Sequence, residues 1–189
     1  MGRDKSRLRL GPTTMLGHIR KAARATGLPV RIIRRDCIPK CGPLSGIYTA
    51  LKTTEADAIL FLACDMPLVS TELIQFMLQH APQYSSQLSM ESRLQPAYRS
   101  SHSRGGLFVR SRGGAGFPFI LLRETVETVD RQIKMCDYSL QGLAKSLRAN
   151  ILPLTRPWSQ QLFNVNIPQD WTAIRSRLQR TSRAAGEPQ

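Results

Sequence analysis

The sequence predicts an α/β protein with a mostly parallel sheet flanked by helices, and three observations predict it. The first is the run Ala58-Ile59-Leu60-Phe61-Leu62-Ala63-Cys64-Asp65-Met66-Pro67, apolar without alternation up to a carboxylate and then a turn. Strands covered by helices on both faces read this way, whereas half-solvated strands alternate. The second is that β-rich runs and stretches of helical period take turns from Thr13 to Leu78, the order of a βαβ layer fold. The third is punctuation: the Gly and Pro clusters fall between these stretches.

Taken in order, Thr13 and Thr14 supply N-cap hydroxyls for a helix with Met15, Leu16, Ile19, Ala22 and Ala23 on one side. Gly27 ends it. Val30-Arg31-Ile32-Ile33 reads as a short strand, with Asp36 just beyond its carboxyl end. The loop from Pro39 to Gly46 leads into a short helix through Ile47, Ala50 and Leu51. The central strand follows and must stop near Asp65, because Pro67 cannot continue it. A helix then begins near Ser70, with Leu73, Ile74, Met77 and Leu78 as its buried stripe and Glu72 in its first turn.

From Ala81 to Gly106 no periodic template fits, and 81–106 is read as an irregular loop. Leu107-Phe108-Val109 and Gly116 to Leu122, joined across Gly113-Gly114, read as a hairpin on the rim of the sheet. Val126, Val129 and Ile133 have helical spacing, and Asp137-Tyr138-Ser139 opens a helix carrying Leu140, Leu143 and Leu147. Ile151-Leu152 is a short strand. Phe163-Asn164-Val165-Asn166 precedes a last helix with Pro168 in its first turn and a stripe of Trp171, Ile174 and Leu178. Residues 1–180 are read as one domain and 181–189 as a frayed tail.

With 189 residues, 41% of them hydrophobic, the chain has material for a single core and is too apolar for wholesale disorder. No apolar run approaches the roughly 20 residues that span a bilayer, and no secretory signal is visible. Four cysteines in a chain of this length do not form a disulfide framework. A cytoplasmic protein is expected, with no membrane partner. Cys37 and Cys41 lack a second pair and His18, His80 and His102 are scattered, which argues against zinc. The net charge of +14 favours polyanionic partners. Its arginines are spread along the chain, however, and 6% aromatics supply no stacking platform for single strands. Nucleic acid is therefore the less favoured partner.

Ligands of open α/β sheets sit beyond the carboxyl ends of the strands. Lys5, Asp36, Asp65 and the Gly42–Gly46 loop are accordingly expected to converge at one sheet edge. A lysine neutralises phosphate oxygens as a compact charge. Magnesium takes one or two carboxylates, several waters and the substrate's phosphates. Glycines let backbone approach a ligand without Cβ clashes. This is the minimum set for a nucleotide with magnesium, although each piece singly also reads as a solvated lysine, a turn aspartate or a plain Gly-Pro turn.

Together the motifs resemble those of the molybdenum cofactor guanylyltransferases. Met1-Gly2-Arg3-Asp4-Lys5 resembles the end of that family's opening motif, Arg-Met-Gly-x-Asp-Lys after a glycine-rich loop. Asp36 with Gly42-Pro43-Leu44-Ser45-Gly46 is similar to the second motif and Cys64-Asp65-Met66-Pro67 to the third. Phe163-Asn164-Val165-Asn166-Ile167-Pro168 is similar to a late Asn-Val-Asn-Thr-Pro motif. Order and approximate spacing agree outside Ala81–Gly106.

The resemblance implies a Rossmann-like nucleotidyltransferase that moves GMP from GTP to molybdenum-loaded molybdopterin and releases pyrophosphate, with Mg2+ as cofactor. Molybdoenzymes and other cofactor-biosynthesis proteins are further partners it suggests. By carry-over, Lys5 and Asp65 are the catalytic pair. Lys5 contacts the triphosphate, Asp36 helps hold the guanine nucleotide, and Asp65 binds nucleotide and metal. Gly42, Pro43, Leu44 and Gly46 form the nucleotide loop, and Asn164 and Asn166 line the site. Two departures stand out. Met1 coincides with the methionine of the opening motif, so the first strand and glycine-rich loop are expected to be missing and activity impaired. Ile167 replaces a capping threonine, a loss of about 1 kcal/mol. An inactive fragment and a basic nucleic-acid-binding protein remain the alternative readings.

Overall fold

A computed structural model of the protein describes residues 7–81, 105–111, 113–167 and 169–176. Lys5, nearly all of the 81–106 stretch, Pro168, Leu178 and the 181–189 tail lie outside the described residues. The described chain forms two compact units. One comprises Met1–Val30, Ala63–Ile74 and Arg156–Gln189, and the other Arg31–Leu62 and Gln75–Thr155.

In the first unit, β1 (Arg9–Leu10) and β2 (Thr13–Thr14) form a two-residue antiparallel ladder. Helix α1 (Met15–Arg24) follows, and the Thr14 hydroxyl accepts a hydrogen bond from Gly17 N at 3.0 Å, as the N-cap reading requires. Its Met15, Ile19 and Ala23 are buried. Leu10, Met15, Val165 and Ile174 form the centre of this unit, with Leu8, Leu68, Phe163 and Trp171 packed around them. The Thr71 hydroxyl donates to Ala22 O at 3.1 Å, and Ser70 N donates to the Gln161 side chain at 3.0 Å. Three distant stretches of sequence are thereby held to one small core.

The second unit holds helix α2 (Pro43–Thr53), strand β3 (Ala58–Phe61), β4 (Gly106–Ser111), β5 (Gly114–Leu122), α4 (Val126–Lys134), α5 (Leu140–Ser146) and β6 (Asn150–Leu152). Helix α3 (Thr71–Gln79) starts in the first unit and ends in this one. The strand order is β3-β5-β4-β6, with β3–β5 and β4–β5 antiparallel and β4–β6 parallel. The α/β class holds, and the sheet is mixed. An unbroken apolar run reports that both faces are covered and is silent about the direction of its neighbours.

Two placements differ from the sequence reading. The hairpin occupies the two inner positions of the described sheet rather than its rim, and β3 lies at an edge. Gly106, Leu107, Phe108 and Val109 are all buried, a pattern that belongs to inner strands. Second, Val30–Ile33 forms no ladder. Branched side chains favour a strand only where a neighbour supplies hydrogen bonds. Here Pro29 lacks a donor, the Arg31 guanidinium donates to Thr53 O, and Ile33 packs on the core.

That core joins Leu44, Ile47 and Leu51 of α2 to Val129 and Ile133 of α4, Leu143 of α5 and the sheet face. Phe119 stands at its middle, stacked on Phe61 at 5.0 Å and on Phe108 at 4.6 Å between ring centroids. Among the described residues, no helix is long and apolar enough to cross a membrane. Phe119→Ala should cost about 3–5 kcal/mol of unfolding free energy, read from urea denaturation. A loss below about 1 kcal/mol would show that the aromatic stack does not organise the sheet.

Candidate active site

Asp65 sits in the turn that follows β3, half-buried, within the first unit. The turn is closed by Met66 N donating to Ala63 O at 3.3 Å and Val69 N to Met66 O at 3.2 Å, with Pro67 buried between them. The Asp65 main-chain carbonyl accepts from Val165 N at 2.9 Å. Val165 is fully buried, while Asn164 and Asn166 on either side are exposed. In extended backbone successive side chains alternate, so burying Val165 turns both asparagines outward. The structure therefore brings the Asp65 turn and the Asn164–Asn166 stretch together.

The stretch is fixed in turn by Asp170. One of its carboxylate oxygens accepts from Asn166 N at 2.8 Å and from Ile167 N at 3.0 Å. Asp170 N donates back to Ile167 O at 3.1 Å. This is the carboxylate half of a capping box, entering the helical segment 169–176. It explains how the first turn forms with Ile167, 52% exposed, at the capping position. Sequence reasoning missed Asp170, although an acidic residue three places after the cap was the available signal. Where α3 begins, Ser70 Oγ accepts from Leu73 N at 3.3 Å. The Ser70 hydroxyl beside Glu72, and then a main-chain N–H, hold the Glu72 carboxyl below its ordinary value.

The second unit carries the Asp36 loop. Cys37 N donates to the Thr49 hydroxyl at 2.8 Å, and that hydroxyl donates to Ser45 O at 2.8 Å. Cys41 N donates to the buried Ser45 hydroxyl at 3.0 Å. The loop from Asp36 to Gly42 thus hangs from two hydroxyls one turn apart on α2. Only Ser45 of this pair lies inside a recognisable motif, and Thr49 went unnoticed because a buried helical threonine looks like core. Gly42 caps α2 at φ 55° and ψ −139°, a conformation reserved for glycine, and Pro43 follows at the first helical position. Leu44 is fully buried and its N–H donates to Cys41 O at 3.2 Å, while Gly42 and Pro43 before it are exposed. A Cβ on Gly46 would lie 3.8 Å from Asp36 Oδ1, so the bare glycine faces the exposed carboxylate. Beside Gly42, a hydrogen bond with the Cys136 thiol is the largest cause raising the Tyr138 phenol above its ordinary value.

No group of three or more His, Cys, Asp or Glu able to hold a metal occurs among the described residues. A single half-buried aspartate, Asp65, does not make a zinc site. It fits a hard cation that keeps water and takes its remaining oxygens from a phosphate.

The family model of the MobA-like NTP transferase domain matches residues 1–150. A probable molybdenum cofactor guanylyltransferase of Carboxydothermus hydrogenoformans is 24% identical over 188 residues, covering 92% of this chain and 88% of that protein. The molybdenum cofactor guanylyltransferase of Acinetobacter baumannii is 29% identical over 123 residues, covering 65% of this chain and about half of its own length, 51%. Among solved structures, molybdopterin-guanine dinucleotide biosynthesis protein A of Archaeoglobus fulgidus superposes with a TM-score of 0.61 at 15% identity, covering 95% of this chain and 92% of that one. The manganese complex of Rv0371c from Mycobacterium tuberculosis does so with a TM-score of 0.60 at 16% identity, covering 93% of each chain. The two superpositions show a shared fold.

The glycines of the loop are separable by experiment. Gly42→Ala should cost about 1–3 kcal/mol, since the alanine is forced into a glycine-only conformation. Gly46→Ala, in helical backbone with only ordinary contact to Asp36, should stay within about 1 kcal/mol of the parent. Equal effects in urea denaturation would mean that the Gly42 backbone does not hold the loop.

Proposed function

Because this chain belongs to the MobA-like NTP transferase domain family, and is as such a nucleotidyltransferase, we propose that it transfers GMP from GTP to molybdenum-loaded molybdopterin. The products are the guanine dinucleotide form of the cofactor and pyrophosphate. The observation that carries this reading is the Asp65 turn, whose main chain is clamped by Val165 between two outward asparagines.

The chemistry is an in-line displacement. An oxygen of the pterin's terminal phosphate bonds to the α-phosphorus of GTP, and the bond from that phosphorus to the oxygen bridging to the β-phosphate breaks. The attacking phosphate is already ionised, so no general base is required, and the Ser and His arrangements of nucleophilic catalysis are not needed. What the reaction does require is orientation of two polyanions that repel one another. Asp36, beside the bare Gly46, receives the guanine nucleotide, and the Gly42–Gly46 main chain lies along it. Lys5 neutralises the triphosphate. Asn164 and Asn166 donate or accept at the substrate's polar edges through amide side chains that carry no charge. Asp65 is the ligand for Mg2+, which when bound supplies charge neutralisation at the phosphates.

Titration of GTP, CTP and ATP in magnesium tests the nucleotide, and GTP should bind tightest. A preference for CTP would move the protein to cytidylyl transfer. Asp65→Asn keeps the turn's size and removes the charge, so GMP transfer should fall on the order of 10²-fold or more, with the unfolding midpoint unchanged. Undiminished transfer by that variant would remove Asp65 from the mechanism.

A further inference from the structure

The end of α5 carries a feature that the nucleotide reading does not use. Arg148 N donates to Lys145 O at 3.0 Å and Ala149 N to Ala144 O at 2.9 Å. This is the paired hydrogen-bond pattern that closes helices through a left-handed residue, and glycine is the usual occupant of that position. Here the residue is Arg148, at φ +49°. A non-glycine residue in this region carries conformational strain that glycine would avoid. Cys136, at φ +58°, ends α4 with the same pair of bonds and is also exposed, so what sets Arg148 apart is its charge beside Lys145.

Arg148 and Lys145 stand at the rim of an open cleft of about 410 Å³, within the size range of small-molecule sites. Ala115, Gln141, Ala144, Ala149 and Ile151 line it with them. Ala115 and Ala144 are buried and Ile151 is half-exposed, so this part of the lining is apolar. Gln141 is held in place by donating to Gly113 O at 2.8 Å, which ties the hairpin turn to α5. Both rim cations are exposed, and no acidic residue lines the cleft. An arginine offers a planar fork to a phosphate and a lysine a mobile point charge, so the two together suit a phosphate monoester. The small side chains beneath them leave room for a flat apolar body.

We propose that this cleft is a second ligand site, taking a phosphate monoester with a planar apolar body, its phosphate held by Arg148 and Lys145 and its ring laid on Ala115, Ala144 and Ile151. The proposal is independent of the nucleotide reading and does not involve Asp36 or Asp65. The two explanations of Arg148 agree on stability and differ in ligand binding. If the arginine serves only the helix end, Arg148→Gly relieves strain and alters nothing else. If it holds a ligand, the same change keeps or raises the melting temperature and removes binding.

The probe is 1-naphthyl phosphate, followed by calorimetry and by chemical shifts of the Ala115, Ala144 and Ile151 methyl groups. Saturable binding that moves those methyls is expected, with inorganic phosphate alone binding more weakly. Arg148→Gly and Lys145→Gln should each weaken it about tenfold or more while leaving GTP binding unchanged. Absence of saturable binding overturns the proposal. So does binding that both variants retain, or that GTP displaces, because the probe would then occupy another site. Inorganic phosphate binding as tightly as the naphthyl ester overturns the planar-body assignment.

Discussion

The hydrogen bond from Val165 N to the Asp65 carbonyl is the constraint on which the first unit depends. It joins a turn following β3 to a segment near the far end of the chain, and both partners are main-chain atoms. No side-chain substitution at Asp65 or Val165 removes its donor or acceptor unless it introduces proline. An N–H left unmade beside the fully buried Val165 would cost about 1–3 kcal/mol, so the bond is held by the same packing that buries Leu10, Met15 and Ile174. The Asp65 main chain is thereby positioned by the core. Asp170 acts at the next level, tying Asn166 and Ile167 to the helical segment that contributes Ile174.

The Asp36 loop of the second unit is built on a different principle. Its hold on α2 comes from side-chain hydroxyls, Ser45 for Cys41 N and Thr49 for Cys37 N, with Gly42 and Pro43 setting the angle of entry. Buried hydroxyls fix geometry without adding charge near the exposed Asp36 carboxylate. This arrangement leaves Asp36 exposed, with its carboxylate the nearest group over Gly46. Packing supplies rigidity behind the loop, since Leu44 and Ile47 belong to the main core.

Much of this was legible in the residues themselves. Caps at Thr14 and Ser139, the α3 stripe of Leu73, Ile74 and Met77, and the stop after β3 all follow from local rules, and the structure follows them. What escaped is what depends on neighbours. Strand direction, the inner position of the hairpin and the failure of Val30–Ile33 to pair are decided by partners distant in sequence. Thr49, Asp170 and Arg148 escaped for a second reason: each looks ordinary until its hydrogen bonds or backbone angle are known. The motif residues Asp36 and Asp65 were visible as residues, and the structure adds the means by which each is held.

The central claim is that the Asp65 turn receives the metal-bound nucleotide, and paramagnetic broadening by Mn2+ with GTP in an ¹⁵N-labelled sample tests it most directly. The amides of Asp65, Met66 and Val165 should broaden first, and their signals should survive the same addition in Asp65→Asn. Broadening confined to other regions, or unaffected by that substitution, would contradict the account.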